Sequence, residues 1–359
     1  MIEFNRHLED IPVYPAASTY AFEGELVKLA SNETPYPPHP QVLEAVQAEL
    51  RTLNRYPDPT NSALRRKLSD RHGVPANRIA IGNGSCDVLL AAGEALLEPG
   101  AELVYAWPAF SVYPHMAAAT GARAIRVPLD AEQRHDLDAM RAEITVATRL
   151  VIVCNPNNPT STALPLEEIA AFVADVPKHV CVILDEAYIE FSVLDDPDAS
   201  LELVRRHANL VLLRTFSKVY GLAGLRCGYA LCGEEDFRVA VEQVRQPFFC
   251  NALAQAAAEE ALRHQDEITR RVEETVAQRL LLEEELRALG LEVADSQANF
   301  LWHSLGDGAE AERAAMDGLA ERKVLIRAGS ALGREGWART TIGTAAENRR
   351  FLEALRELL

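Results

Sequence analysis

Asn209-Leu210-Val211-Leu212-Leu213-Arg214-Thr215-Phe216-Ser217-Lys218 is the stretch that decides the fold. Its four consecutive apolar residues, Leu210 to Leu213, read as a short buried strand. The strand ends in Arg-Thr-Phe-Ser-Lys, and the glycine-rich run Gly221-Leu222-Ala223-Gly224-Leu225-Arg226 follows. A lysine just beyond the carboxyl end of a buried strand lies where open α/β sheets place their ligands.

The same pattern recurs upstream. Leu150-Val151-Ile152-Val153-Cys154 is an apolar strand ending at Asn155-Pro156-Asn157-Asn158-Pro159-Thr160, and Val180-Cys181-Val182-Ile183-Leu184 ends at Asp185-Glu186-Ala187-Tyr188. Further strands are predicted at residues 78–81, 103–105 and 124–127. Helices are predicted at residues 40–50, 62–72, 88–97, 115–120, 137–143, 165–174 and 201–206. Continuous apolar strands alternating with helices give an α/β fold, a mainly parallel sheet covered on both faces. After about residue 250 the pattern changes to long helical stretches at residues 252–264 and 266–289. Strand-like runs follow at residues 291–293, 298–302, 324–327 and 340–342, then a closing helix at residues 347–358. The expected organisation is an extended, proline-rich arm over residues 1–45 that joins the small domain, a large domain over 46–250 and a small α+β domain over 251–359.

Bulk properties exclude several classes. At 359 residues, 48% of them hydrophobic, the chain can bury full cores and is not disordered. Acidic residues outnumber basic ones by 53 to 36, and the net charge of −17 argues against nucleic acid or an anionic membrane surface as partner. The six cysteines include no C-x-x-C pair, so buried free thiols in a reducing compartment are expected. The nine histidines show no ligand spacing, and no metal is expected. The first residues lack the apolar core of a signal peptide, no stretch approaches a membrane span, and a cytoplasmic protein is expected.

Asn158, Asp185 and Lys218 each follow a buried strand at its carboxyl end. In a parallel sheet those ends share one edge, so three side chains distant in sequence can converge in one crevice. An aspartate straight after five apolar residues is badly placed unless something positive faces it. A protonated pyridine nitrogen would do so, and Lys218 then reads as the amine that forms a Schiff base with an aldehyde cofactor. Tyr188 and Asn158 can reach the ring's phenolic oxygen, and Phe110 can stack on the ring. The turn Gly82-Asn83-Gly84-Ser85-Cys86-Asp87 leads from a strand into a helix, the arrangement that aims backbone N–H groups at a phosphate. Ser85, Thr215, Ser217 and Arg226, with the N–H groups from Gly84 to Asp87, can hold that phosphate. Taken one at a time, each residue has an ordinary alternative: a solvated lysine, a helix-capping aspartate, a core phenylalanine, a surface arginine.

At these residues the sequence resembles the fold-type-I pyridoxal-phosphate aminotransferases, and more narrowly the histidinol-phosphate aminotransferase family. The motifs run in order along the chain. They include Ser31-Asn32-Glu33-Thr34-Pro35, Arg55-Tyr56-Pro57-Asp58, Thr215-Phe216-Ser217-Lys218 and Ser296-Gln297-Ala298-Asn299-Phe300. The resemblance implies a seven-stranded sheet, pyridoxal 5'-phosphate as cofactor, and Lys218, Asp185 and Tyr188 as catalytic residues. It implies that Gly84, Ser85, Cys86, Phe110, Asn158, Thr215, Ser217 and Arg226 contact the cofactor. It implies that Tyr56 reaches the cofactor phosphate of a neighbouring subunit, hence a homodimer with composite sites. Arg339 is implied to bind a substrate carboxylate, and Tyr14, Asn32 and Arg327 match other substrate-side positions. The implied reaction is ping-pong transamination from histidinol phosphate to 2-oxoglutarate, in histidine biosynthesis.

Some residues depart from that family. Ser161 stands where Gly is common after Asn158-Pro159-Thr160, Cys86 stands where Asp or Asn is usual, and Phe248 replaces a tyrosine. The Thr160-Ser161 step and the Pro247-Phe248 pair are similar to the aromatic amino acid aminotransferases, which act on phenylalanine or tyrosine, whereas the Gly82-Asn83-Gly84-Ser85 loop is more similar to the histidinol-phosphate group, and the substrate class stays open. A decarboxylase on the same scaffold and an inert cofactor-binding regulator are further alternatives.

Overall fold

The computed structural model describes Ile2, Glu9 and residues 25–359, so Tyr14 lies outside the described residues. The chain enters at β1 (Val27–Lys28), followed by α1 (Pro40–Glu49), α2 (Ser62–His72), β2 (Ile79–Gly82), α3 (Ser85–Leu96), β3 (Glu102–Trp107) and α4 (Val112–Thr120). Then come β4 (Arg123–Pro128), α5 (Leu137–Ala142), β5 (Thr148–Cys154), α6 (Leu166–Asp175), β6 (Cys181–Asp185), α7 (Leu201–Arg206) and β7 (Leu210–Thr215). The remainder is β8 (Gly228–Cys232), α8 (Glu235–Gln243), α9 (Ala252–Ala261), α10 (Gln265–Ala288), β9 (Phe300–Ser304), α11 (Gly308–Glu321), β10 (Val324–Leu325), β11 (Arg327–Ala328), β12 (Trp337–Thr341) and α12 (Ala345–Arg356).

Seven strands form one sheet in the order β2-β8-β7-β6-β5-β3-β4. All run parallel except β8, which is antiparallel to both its neighbours. The apolar runs behave as their composition requires. On β5, Val151 and Val153 face one buried core while Leu150, Ile152 and Cys154 face the other. The chain leaving β3 goes outward to β4, and the chain leaving β5 goes the other way to β6. The crevice at the carboxyl ends of β3 and β5 is therefore a topological switch point, the usual ligand site of such sheets.

A second core is built by Leu282, Leu286, Leu301, Leu319, Phe351 and Leu355, with Val27 and Leu29 of the arm inserted among them. Strand β1 pairs in parallel with β10, and β11-β12-β9 form an antiparallel sheet beside it. Of the described arm residues, Val27 and Leu29 pack in the small core and Val42 in the large one. The expected boundary at residue 251 is displaced. Ala254, Ala257, Ala258 and Ala261 of α9 are buried in the large core, and Ile268 and Val272 of α10 pack on it too, whereas Leu282 and Leu286 belong to the small core. We place the division within α10: helical periodicity shows that a face is buried, but not which core buries it.

Other differences have local causes. Residues 291–293 make only an isolated bridge, Val293 to His303. Residues 324–327 divide into two short strands, because β10 pairs with β1 and β11 with β12. The sequence reading gives no strand to Gly228–Cys232 and no helix to Glu235–Gln243; β8 opens on a glycine directly after a glycine-rich run, which obscures its start. Helix α3 begins at Ser85, three residues earlier than predicted, with Gly84 as its N-cap. Ser161 has φ 61°, the left-handed backbone for which glycine is suited, which explains why glycine is common at that position in the resembling family.

Gly228 shows how tightly the sheet is applied to α3. A Cβ there would overlap the backbone nitrogen of Ser85, whereas a Cβ at Gly224 would meet open space. Backbone against backbone cannot be relieved by a rotamer change. Gly228→Ala should lower the thermal midpoint by an amount corresponding to about 2 kcal/mol or more, while Gly224→Ala leaves it within the scatter of surface substitutions. Equal midpoints for the two variants in a melting experiment would contradict this packing.

Candidate active site

The strand ends converge as the parallel topology requires. One cavity of about 390 Å³ is lined by Asn158 after β5, Asp185 at the end of β6, and Thr215, Ser217 and Lys218 at and after β7. Ser85, Cys86, Phe110, Tyr188, Arg226, Arg327, Arg339 and Asn32 complete much of its wall. That volume lies within the usual range of small-molecule sites, about 300–1,000 Å³.

One end of the cavity is an anion cradle. The α3 N-terminus presents free backbone N–H groups at Ser85 and Cys86, carrying the positive end of the helix dipole. Arg226, itself at φ 61°, lies across this end, and a Cβ on Gly84 would overlap its guanidinium. That guanidinium is the mobile end of a long side chain and could move aside, so glycine at position 84 is required chiefly for its φ of 85°. Arg226 Nη1 donates to Ser217 Oγ (3.4 Å), and the Ser217 backbone N–H donates to Thr215 Oγ1 (3.0 Å).

The floor is Asp185, 3% exposed. Its Oδ2 accepts from Tyr113 O–H (2.8 Å) and its Oδ1 from the Ala187 backbone N–H (3.2 Å). Burial pushes its pKa up to about 6, against the downward pull of those two hydrogen bonds. A cation placed against this carboxylate would relieve the desolvation. Tyr113 had no role in the sequence reading. It lies in the first turn of α4, three residues beyond Phe110 in the preceding loop, and the two rings meet edge to face with centroids 5.8 Å apart. That spacing from Phe110 was the signal that could have found it.

Lys218 faces this floor from β7. Burial, with the nearby Arg339 charge adding to it, lowers the amine to about 8, so the neutral nucleophilic form is accessible near neutral pH. Its Nζ donates to the backbone carbonyl of Ser31 (3.3 Å). Tyr188 was expected one helical turn from Asp185. The chain instead makes a turn there, and a short 3₁₀ turn begins only at Ile189, yet the Tyr188 ring still reaches the wall, 5.5 Å from Lys218 Nζ.

The small-domain side supplies guanidinium groups. Arg339 donates from Nη1 to Asn158 Oδ1 (2.6 Å) and from Nη2 to the Ala30 carbonyl (2.7 Å). With its oxygen taken, Asn158 keeps its amide N–H groups for the cavity. Arg327 and Arg339 are direct partners across the β11-β12 ladder, and both line the cavity. The described wall of one chain does not include Tyr56, which is 80% exposed and stacks on Phe248 with centroids 4.4 Å apart. Among the described residues no cluster of His, Cys, Asp and Glu could hold a metal, and no helix is long and apolar enough to cross a membrane.

Amine, buried carboxylate, anion cradle and stacking ring together fit pyridoxal 5'-phosphate, group by group. The fold and site define a pyridoxal-phosphate-dependent transaminase, and the chain belongs to the aminotransferase class I and II family, whose model matches residues 24–355. Its relatives divide by substrate. It is 42% identical over 351 residues to an aromatic amino acid aminotransferase of Streptomyces coelicolor, covering 98% of this chain and 96% of that protein. It is also 42% identical over 349 residues to histidinol-phosphate aminotransferase 2 of Ralstonia nicotianae, covering 97% and 93%. Among solved structures it is similar to histidinol-phosphate aminotransferase from Sinorhizobium meliloti in complex with pyridoxal-5'-phosphate, with a TM-score of 0.90, 28% identity, and coverage of 100% and 99%.

The raised pKa of Asp185 has a measurable consequence in the cofactor-free protein. An unfolded aspartate titrates near 3.8 and the folded one near 6, so the folded state holds this proton more tightly. Stability is therefore lost as pH rises between those values, by about 2–3 kcal/mol. Asp185→Asn removes the buried charge. Without cofactor, that variant should be more stable than the parent at pH 7, with the gap closing towards pH 4. Urea midpoints across that range test it, and a gap independent of pH would contradict it.

Proposed function

We propose that the chain transfers an amino group from histidinol phosphate to 2-oxoglutarate in two ping-pong half-reactions. The observation that carries this substrate is the pair Arg327 and Arg339. The two are register partners on neighbouring strands and both line the cavity, so a doubly charged group there meets two guanidinium groups and can accept charge-assisted hydrogen bonds from both. A phosphate dianion on the donor, or a dicarboxylate acceptor, has the required charge; phenylalanine brings a single carboxylate.

Pyridoxal phosphate, when bound, supplies an electron sink for the pair released as the donor's C–H bond breaks. The residues would divide the remaining work. Lys218 would hold the cofactor aldehyde and would serve as base and acid for the proton at the substrate carbon that bears nitrogen. Asp185 keeps the ring nitrogen protonated, and Asn158 and Tyr188 hydrogen-bond the phenolic oxygen. Phe110 stacks on the ring. Ser85, Thr215, Ser217 and Arg226, with the N–H groups from Gly84 to Cys86, hold the phosphate. Arg339 takes a substrate carboxylate.

A second reading, phenylalanine or tyrosine as donor, is favoured by Cys86, which puts a thiol on the wall where a carboxylate or amide would bind a polar substrate end. Single-turnover conversion of the bound cofactor, with histidinol phosphate beside phenylalanine at equal concentration, separates the two. Faster conversion by histidinol phosphate is expected; faster conversion by phenylalanine would install the second reading.

We further infer an isologous homodimer in which Tyr56 completes the partner's phosphate site. Its 80% exposure and its stacking on Phe248 suit a group presented to another subunit. Mixed dimers of Lys218→Ala and an impaired Tyr56→Ala subunit should regain activity, because one site then holds an intact Lys218 and the other subunit's intact Tyr56. If Tyr56 acts within its own chain, mixing restores nothing.

A further inference from the structure

The segment Ala30-Ser31-Asn32 crosses the cavity and touches three functional side chains in succession. The Ala30 carbonyl accepts from Arg339, the Ser31 carbonyl from Lys218, and Asn32 Nδ2 donates to Tyr188 O–H (3.1 Å). The resemblance assigns Asn32 to the substrate side. Its contacts assign it differently. It is 1% exposed, with a left-handed backbone at φ 54°. Its own N–H donates to Thr341 Oγ1 (2.9 Å), its carbonyl accepts from Asn299 Nδ2 (3.3 Å), and its Oδ1 accepts from Thr341 O–H (3.3 Å).

The amide lies with its oxygen on Thr341 and its NH₂ group on Tyr188. Thr341 Oγ1 receives the backbone N–H of Asn32, so its hydroxyl proton is free to go to Asn32 Oδ1. The NH₂ end faces Tyr188, whose oxygen accepts from it. Tyr188 is left with its own proton to give elsewhere, and its side chain lines the cavity. A donor on a phenol oxygen also makes that phenol a better donor in turn, since successive hydrogen bonds polarise one another.

We propose that Asn32 is a positioning residue that aims and strengthens the Tyr188 hydroxyl as a hydrogen-bond donor into the cofactor cavity. Thr341 fixes Asn32, Asn32 fixes Tyr188, and the chain Thr341–Asn32–Tyr188 delivers one oriented proton. This rests on the reading above that Tyr188 meets the cofactor's phenolic oxygen. It adds that a residue on the arm, 156 positions away in sequence, controls that contact.

The test uses the cofactor-loaded enzyme and the pH midpoint of its visible absorbance change. A hydroxyl donated to the phenolic oxygen stabilises its anionic form, so weakening that donor moves the midpoint to higher pH. Asn32→Gly keeps the left-handed backbone without strain and should raise the midpoint by about half a pH unit, the size of one weakened neutral hydrogen bond. Tyr188→Phe should raise it at least as far, and the double variant should match Tyr188→Phe alone. Asn32→Asp, isosteric but able only to accept from Tyr188, should move the midpoint the same way and serves if the glycine variant does not accumulate. A midpoint unmoved in Asn32→Gly, with KM alone altered, would make Asn32 a substrate ligand and overturn the proposal. Additive shifts in the double variant would overturn it as well. A midpoint unmoved in Tyr188→Phe would instead remove the Tyr188 contact on which the proposal stands.

Discussion

A buried carboxylate at the end of a central strand is the constraint around which this molecule is arranged. Asp185 has two hydrogen-bond donors, a tyrosine hydroxyl and a backbone amide, and neither carries charge. The protein thus holds, at the floor of its cavity, a poorly compensated anion. Such a group is costly in a folded chain. Its persistence makes sense where binding a cofactor supplies the missing charge, so that affinity and catalysis draw on one electrostatic imbalance.

The surrounding architecture keeps that imbalance in place. On β7, Thr215 turns towards the cavity. The preceding Arg214, on the opposite face, is buried in ion pairs with Glu186 and Asp198, each at 2.8 Å. The carboxyl end of β7 is thereby tied to the chain that follows β6, behind the ends that carry Asp185 and Lys218. Arg271 of α10 performs a similar service further out, donating to the carbonyls of Val219 (3.2 Å) and Pro37 (2.6 Å), one beside Lys218 and the other on the arm.

Much of this was legible in the sequence, for identifiable reasons. Fully apolar runs announce strands buried on both faces, and polar residues within about five positions of each strand end mark where a crevice lies. Asn158, Asp185 and Lys218 follow from that logic. What was not legible depends on neighbours distant in sequence. The start of β8 was masked by glycines that serve close packing against Ser85. The allegiance of α9 to the large core has no signature in its periodicity. Tyr113 resembles any core tyrosine until the carboxylate beneath it is located. The Arg327–Arg339 pairing needs the strand register, which residue types alone do not supply.

Two of the contacts made by the arm across the cavity are main-chain carbonyls, those of Ala30 and Ser31. No choice among the twenty side chains can delete a carbonyl. The hold on Arg339 and Lys218 is therefore invisible to alanine scanning and indifferent to drift at either position, provided the backbone path survives. That path is set by β1, which is laced to β10 of the small domain. Any tilt of that domain is transmitted to the Lys218 amine as a displacement of peptide groups, and redesign of this enzyme would have to act on geometry rather than on chemistry at these two residues.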